Sequence, residues 1–372
     1  MQCLSVAVLV SIFSGVVLGQ SRNSASAPAE HADVVATYSI VGWDSATGDL
    51  GIAVQSKFLA VGSVVPFAKA GIGAIATQAW ANTDYGPRGL ELLDNGMGPQ
   101  QVIETLLRAD SGAARRQVGI VDGKGNSFAY TGSACLPYAG HLSGIGYTAQ
   151  GNILAGEVVV KAMARTFEMT PGALPERLLS ALEAAERAGG DKRGRQSAAL
   201  LVAREQGGYG GFNDRMIDLR VDDDSLPLPK LRRLYNLWQQ TYLGDVQMRS
   251  IDMFNQRKNY AAAQEITQQL VQSLNAQLRD RPDDPAVLNS VAWALTTNNI
   301  DRIRALELAK RAAKLAPGNA NILDTLAECH YQLGHFDEAI AIESELVSKD
   351  PANDMFWRQL QKFKDAKQRE MK

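Results

Sequence analysis

The sequence predicts a mixed α+β domain followed by an all-helical repeat domain. Three observations point there. Between Thr37 and about Arg220, short β-rich runs around Gly, Asn and Asp turns are interrupted by pairs of helical segments. From about Asp245 onward the apolar spacing is helical throughout. Within that helical part, Pro317 and Pro351 stand 34 residues apart, and so do Ala305 and Ala339.

The elements follow in order. Thr37–Trp43 and Leu50–Ser56 flank the turn cluster 44–49 and read as a hairpin. Ile72–Ala79 is an apolar strand led in by Gly71. Tyr85–Asn95 and Pro99–Arg108 are helices, the first stopped by Gly96 and the second started by Pro99. Gln117–Val121 and Ser127–Thr131 form a second hairpin around Asp122-Gly123-Lys124-Gly125-Asn126. Tyr147–Gln150 and Ile153–Leu154 flank Gly151-Asn152, whereas His141-Leu142-Ser143-Gly144 reads as a loop. Glu157–Phe167 and Pro175–Ala188 are helices, and Ser197–Arg204 and Met216–Val221 close the domain as strands. Helix pairs between groups of strands suggest a sheet sandwich with helical layers outside. A doubly wound parallel sheet would alternate single strands with single helices.

Leu226–Tyr242 reads as one amphipathic helix after the Pro227 and Pro229 break. Residues 283–351 hold two copies of a helical hairpin, the second running from Leu323 through Gly334 to Ala339 and Pro351. This spacing resembles the tetratricopeptide repeat (TPR). Residues 226–282 form a helical connector that includes a degenerate repeat, and 352–372 a solvating cap helix.

The N-terminus has a different character. Leu4–Gly19 is almost wholly apolar and too short for a comfortable membrane span, so residues 1–19 are expected to be a secretory signal peptide. Its n-region, Met1-Gln2, departs from the usual pattern in carrying no Lys or Arg. Residues 20–36 are a Ser/Ala/Pro tract with little to bury, a linker or pro-segment. The expected location is therefore outside the cytoplasm, secreted or periplasmic. Cys135 and Cys329 fall in different domains and suggest no disulfide framework. No segment after the signal is apolar enough to span a bilayer, and a net charge of −2 gives no electrostatic reason to expect nucleic acid.

Several chemistries lack their residues. A Ser-His-Asp hydrolase needs a histidine, and His141 is the single one between Thr37 and Arg220, with no Gly-x-Ser-x-Gly motif in the same span. There is no His/Cys clustering for zinc, and the Gly119–Gly125 stretch lacks the phosphate-loop pattern, so neither metal nor cofactor is expected. What remains is Thr37, which follows the small-residue run Val34-Val35-Ala36. A threonine at a free N-terminus carries its own base, an α-amine that titrates near pH ~8.

The residues then become specific. Thr37-Tyr38-Ser39-Ile40-Val41, Gly51 through Gly62, and Ala76-Thr77-Gln78-Ala79 with Asn82 and Tyr85-Gly86 resemble the DUF1028 family. So do Asp191 through Ala199 and Gly207 through Asp214; the resemblance spans residues 37–225. It implies an N-terminal nucleophile (Ntn) hydrolase-like, four-layer αββα sandwich with a threonine nucleophile at the start of the first strand. It implies no substrate. Other members often begin Met-Thr, whereas Thr37 needs a proteolytic or self-cleaving step to become the first residue.

Around Thr37 the candidates are as follows. Lys57 would keep the amine neutral, or else is a surface lysine at a strand end. Ser56 would orient the amine. Asn82 would supply an amide donor to an oxyanion and Asp84 a carboxylate near the pocket, or else this segment caps a helix. Arg193 and Arg195 would clamp a carboxylate or phosphate, or form a solvated loop. Asn213 and Asp214 follow glycines that would let the backbone approach a ligand. Two functions fit: an exported amidohydrolase acting on a small-molecule or peptide amide, or an inactive Ntn-fold scaffold that binds a protein or peptide through its repeats, at the cell wall among other places. Homo-oligomers are common for such folds, but no interface is readable.

Overall fold

The computed structural model describes residues 37–370, so the expected signal peptide and pro-segment lie outside the described residues. Ten strands and eleven α-helices follow one another within that range. A six-stranded antiparallel sheet takes the order β10-β9-β2-β1-β8-β7. Its strands are β1 (Thr37–Trp43), β2 (Leu50–Ser56), β7 (Gly140–Gly144), β8 (Tyr147–Gly151), β9 (Ser197–Ala203) and β10 (Arg215–Val221). A four-stranded antiparallel sheet takes the order β3-β4-β5-β6, from β3 (Pro66–Lys69), β4 (Gly73–Ala79), β5 (Arg116–Asp122) and β6 (Ser127–Thr131).

Side-chain alternation decides the layering. Val41, Ile52 and Val54 turn to the second sheet and meet Ala74, Ala76 and Val121 in the inter-sheet core. Tyr38, Ile40 and Ala53 turn the other way, onto α3 (Glu157–Met169) and α4 (Leu174–Arg187). Ile75, Val118 and Ile120 of the second sheet pack on α1 (Tyr85–Asp94) and α2 (Pro99–Arg108). The order is helices, sheet, sheet, helices, as expected.

Three local readings change. His141–Gly144 is not a loop but β7, an edge strand paired with β8 in register His141 to Gln150. Ile153–Leu154 is not a strand: Ile153 adopts φ 54°, and Leu154 makes only an isolated bridge to Asp191. β3 escaped notice because Pro66 opens a run of four residues with little alternation.

The helix after β10 is longer than its sequence suggested. α5 runs Pro227–Gln256 without a break at Tyr242. Leu228, Leu231, Tyr235 and Trp238 pack in the same core as α3 and α4, while Ile251, Met253 and Phe254 pack against the helices that follow. One helix is thus shared by both cores. Those following helices are α6 (Tyr260–Asp280), α7 (Pro285–Thr297), α8 (Arg302–Leu315), α9 (Ala320–Gln332), α10 (Phe336–Lys349) and α11 (Asp354–Glu370). Their starts are capped as the sequence demands. Asn259, Asp284, Asp301 and Asn319 each accept a backbone N–H of the first turn of α6, α7, α8 and α9. Ala305, Ala327 and Ala339 are fully buried, which lets paired helices approach closely.

One position breaks the repeat's own logic. Three residues of spacing after Ala339 the pattern calls for an apolar side chain, and the first copy supplies buried Ala309 there. The second copy carries Glu343, fully buried, with neither carboxylate oxygen hydrogen bonded. Burial first, then the neighbouring Asp324 and Glu328, push its carboxyl up to about 8, with Lys362 opposing. Lys362 is engaged elsewhere, 2.7 Å from Glu328 Oε2.

The folded state therefore holds this proton more tightly than the unfolded chain. Its contribution to stability is complete below about 4.5, the ordinary value, and is lost as pH rises to about 8. Glu343→Leu is expected to stabilise the repeat domain by about 1–3 kcal/mol at pH 9 and by less at pH 5. Denaturant melts of both chains at the two pH values check this; a gain independent of pH would show that Glu343 is not protonated in the fold.

Candidate active site at the head of the first strand

Thr37 begins β1, at the end of the larger sheet where Ser56 ends β2 and Ser197 begins β9. Thr37 and Ser56 are direct cross-strand partners, so their side chains share the face turned to the second sheet. The Thr37 hydroxyl donates to Ser56 Oγ at 3.1 Å, and both residues are fully buried. The Thr37 carbonyl is held twice, by Gln78 Nε2 at 3.2 Å from the second sheet and by the Asn152 N–H at 3.0 Å. Residue 37 is therefore fixed from both sheets and from the loop after β8.

These holding groups belong to a polar network between the sheets that the sequence reading missed. Gln117 of β5 is its hub. Its Oε1 accepts from Gln78 Nε2 at 2.9 Å and Asn152 Nδ2 at 3.1 Å. Its Nε2 donates to Thr131 Oγ1 and the Gly151 carbonyl, both at 2.9 Å, and to the Gly140 carbonyl at 3.1 Å. Ser39 links Gln78 and Gln150, donating to Gln78 Oε1 at 2.6 Å and accepting from Gln150 Nε2 at 2.8 Å. Gly119 makes room: a Cβ there would lie 2.3 Å from both Gln150 Oε1 and Thr148 Oγ1. The available signal was a single fully buried amide in each of three strands, Gln78 in β4, Gln117 in β5 and Gln150 in β8, where an aliphatic was expected.

The backbone beside the network is strained. Ala79, just after Gln78, has φ 68°, and Ile153, just after Asn152, has φ 54°. For a β-branched residue a left-handed φ costs on the order of 1–3 kcal/mol, which the surrounding structure must offset.

The other predicted residues fall in four places. Lys57 lies one residue beyond β2 and is exposed. The alternation that puts Ser56 opposite Thr37 starts Lys57 toward the other face, so Ser56 rather than Lys57 stands beside the hydroxyl. The Lys57 N–H donates to Asp191 Oδ2 at 3.2 Å. Asp191, its side chain fully buried, also accepts Arg193 Nη2 at 2.9 Å and the Arg193 N–H at 2.9 Å. Arg193 is thus anchored at the Thr37 end of the sheet.

Arg195 faces a different anion. Its Nη1 sits 2.7 Å from Glu186 Oε1, and Glu186 Oε2 accepts the Tyr38 hydroxyl at 2.6 Å. Burial, then Glu186, raises the Tyr38 phenol well above its ordinary value.

Asn82 is committed to a structural cluster. Its Nδ2 donates to Asp110 Oδ2 at 3.1 Å, alongside the Tyr85 hydroxyl at 2.8 Å and Arg116 Nε at 2.7 Å. Arg116, before all else, holds the Asp110 carboxyl well below the usual carboxylate range. An amide drawn onto an ionised carboxylate is a poor oxyanion donor. Asp84 is exposed at the start of α1, makes no side-chain cap, and gives its N–H to Asn82 Oδ1 at 3.2 Å.

Asn213 and Asp214 are at the opposite end. They precede Arg215, which pairs with Ala203 beside Leu50, whereas Thr37 pairs with Ser56. A seven-residue strand separates the two ends by roughly 20 Å. There Asn213 Oδ1 and Asp214 Oδ1 accept the N–H groups of Arg215 and Gln206, shaping the β9–β10 loop. The structure brings Thr37, Ser56, the Lys57 backbone and Arg193 together, commits the Asn82 amide to Asp110, and leaves Asn213 and Asp214 at the opposite end of the sheet.

Removing the hub should be costly. Gln117→Leu leaves Gln78, Asn152 and several strand carbonyls without partners in a dry interior, and a loss of about 3 kcal/mol or more is expected. Chemical denaturation checks it, and a change below about 1 kcal/mol would mean that water replaces the amide.

Comparisons with known proteins agree with this architecture. Residues 37–231 match the family described as "Family of unknown function (DUF1028)", and residues 301–362 match a tetratricopeptide repeat. A solved structure, the protein SPO2555 from Silicibacter pomeroyi, itself assigned to DUF1028, is similar at 32% identity and a TM-score of 0.50. The match covers 55% of this chain and 89% of that one. Comparison with curated proteins gave no match. With the matching segment spanning more than half of its 372 residues, the chain belongs to the DUF1028 family, joined to a C-terminal TPR-type repeat.

Proposed function

We propose that this protein is an exported Ntn-type amidohydrolase whose nucleophile is the Thr37 hydroxyl, freed by cleavage of the Ala36–Thr37 bond. One observation carries the reading. The first residue of the first strand is a threonine whose backbone is pinned by both sheets and whose hydroxyl meets a second hydroxyl, Ser56 Oγ, at 3.1 Å. A nucleophile needs this fixed geometry, because misplacement by about 1 Å can cost on the order of a hundredfold in rate.

The chemistry follows from the termini. Once the bond before it is cut, Thr37 has an α-amine beside its own hydroxyl. The hydroxyl oxygen adds to the amide carbonyl and its proton passes to the amine. Collapse of the tetrahedral intermediate breaks the C–N bond, and the amine's proton goes to the leaving nitrogen. Water then hydrolyses the Thr37 ester and restores the enzyme. Ser56 holds the hydroxyl in line, and Arg193, anchored on Asp191, offers charge for a substrate carboxylate near the same sheet end. The repeats supply a surface for a protein or peptide partner, which is the binding role that TPR-type helices support.

The intact mass and N-terminal sequence of the protein recovered from its native host test the first requirement. A chain beginning at Thr37 is expected; one beginning near Gln20 would leave the threonine without its amine and remove the proposal. Given a substrate from an amide screen, Thr37→Ala should abolish turnover, and Ser56→Ala should lower kcat by about a hundredfold. Lys57→Ala should leave the rate within about twofold, because its side chain is exposed. Equal losses at Ser56 and Lys57 would return the lysine to the proton path.

A further inference from the structure

β10 is the longest strand at a sheet edge, with seven residues against four in β3 and five each in β6 and β7. One side of it pairs with β9, and among the described residues no strand pairs with the other. An unguarded edge is a template for another chain. β7 is guarded, because its Gly140 and Gly144 carbonyls accept from Gln117 Nε2 and Ser127 Oγ. β3 opens on Pro66, which has no N–H to offer.

The two faces of β10 differ. Ile217, Leu219 and Val221 turn to the core shared with α5, where Leu219 and the α5 residue Leu234 are only partly buried. One turn further along α5, Leu237 is 51% exposed. Asp218 and Arg220 take the opposite face. Arg220 Nε donates to Asp218 Oδ1 at 2.8 Å, and Arg215 Nη1 lies 3.1 Å from Asp218 Oδ2. The Arg215 and Arg220 side chains are 65% and 37% exposed, so their charge is still open to a partner.

Charges on an edge strand usually keep other strands away. Here the order of signs admits one. We propose that two copies of this chain pair β10 to β10, antiparallel about a two-fold axis at Leu219, so that the larger sheet runs on from one copy into the other. With that axis Asp218 stands directly opposite the second copy's Arg220, and Arg220 opposite its Asp218. Side chains directly opposite on one face have Cβ atoms about 5 Å apart, and opposite charges there attract. An axis through Asp218 or Arg220 instead would set like charges face to face, so the sequence selects the register. The same pairing brings Arg215 toward the exposed Asp222 and Asp223 that follow the second copy's strand. On the other face Leu219 meets its own mate beside the two α5 helices, which pack across β9 and β10. The glycine-rich β9–β10 loop gains a place as well. Its Tyr209 and Phe212 are 81% and 88% exposed. Antiparallel pairing carries this loop to the Thr37 end of the second copy's sheet, toward the exposed Leu226.

Sedimentation equilibrium of the full chain at micromolar concentration tests this. A species of twice the chain mass is expected. Asp218→Arg and Arg220→Asp each set like charges across the axis twice, and each should weaken the dimer by about tenfold or more. The double change Asp218→Arg with Arg220→Asp exchanges the signs and should restore it. Circular dichroism of the three variants checks that they fold, as expected for substitutions of exposed or half-exposed side chains. Thr37→Ala should remain dimeric, so the outcome is independent of catalysis there. A monomeric parent chain, a dimer unaffected by either single change, or a folded double variant that stays monomeric would each overturn the proposal.

Discussion

The carboxamide of Gln117 is the constraint on which the front of this molecule depends. Two sheets packed face to face normally meet through apolar side chains, and at one end of this sandwich they do, through Val41, Ile52, Ala74 and Ala76. At the other end the interior is polar and still closed to water. Gln117 makes that arrangement affordable by satisfying Gln78, Asn152 and the carbonyls of Gly140 and Gly151 together. Gln78 and Asn152 in turn hold the carbonyl of Thr37. The position of the first residue of β1 is thus set by a side chain eighty residues further along the chain. A polar network of this kind specifies a single register, because a one-residue slip of β1 would present Tyr38 to Gln78.

A second junction is organised by charge. Arg204, at the end of β9, reaches Asp49 in the β1–β2 turn and donates to Ser250 of α5 at 3.2 Å. Buried pairs contribute little net stability against an apolar replacement, but losing one partner costs about 3–5 kcal/mol. The pair therefore fixes orientation: it ties the far end of the larger sheet to the helix that continues into the repeats. The two ends of that sheet serve different purposes. One holds Thr37 in a closed polar interior, and the other anchors a helical arm.

Legibility in the sequence tracked the range of the physics. The TPR-type helices were readable because small residues and a fixed repeat are local signals, as at Ala305 and Ala339. Thr37, Ser56 and Arg193 were readable as candidates because they sit in short motifs near strand ends. That Ser56 rather than its neighbour stands beside the Thr37 hydroxyl was not readable, since only direct register shows that Ser56 faces Thr37. Asn82 looked like a donor because its carboxylate partner, Asp110, is 28 residues away. Asn213 and Asp214 looked close because the sequence does not say at which end of a strand a loop lies.

By itself the sequence determined the element types, the division into a layered α+β domain and a helical repeat, and the identity of the residue that heads β1. These follow from alternation, periodicity and turn chemistry, which act over a few residues. Only the tertiary structure decided which amides meet between the sheets, that α5 belongs to two cores, and that Glu343 is buried without a partner. Those outcomes depend on contacts between distant segments, where burial turns an ordinary Gln or Glu into a group that must find its hydrogen bond or its proton.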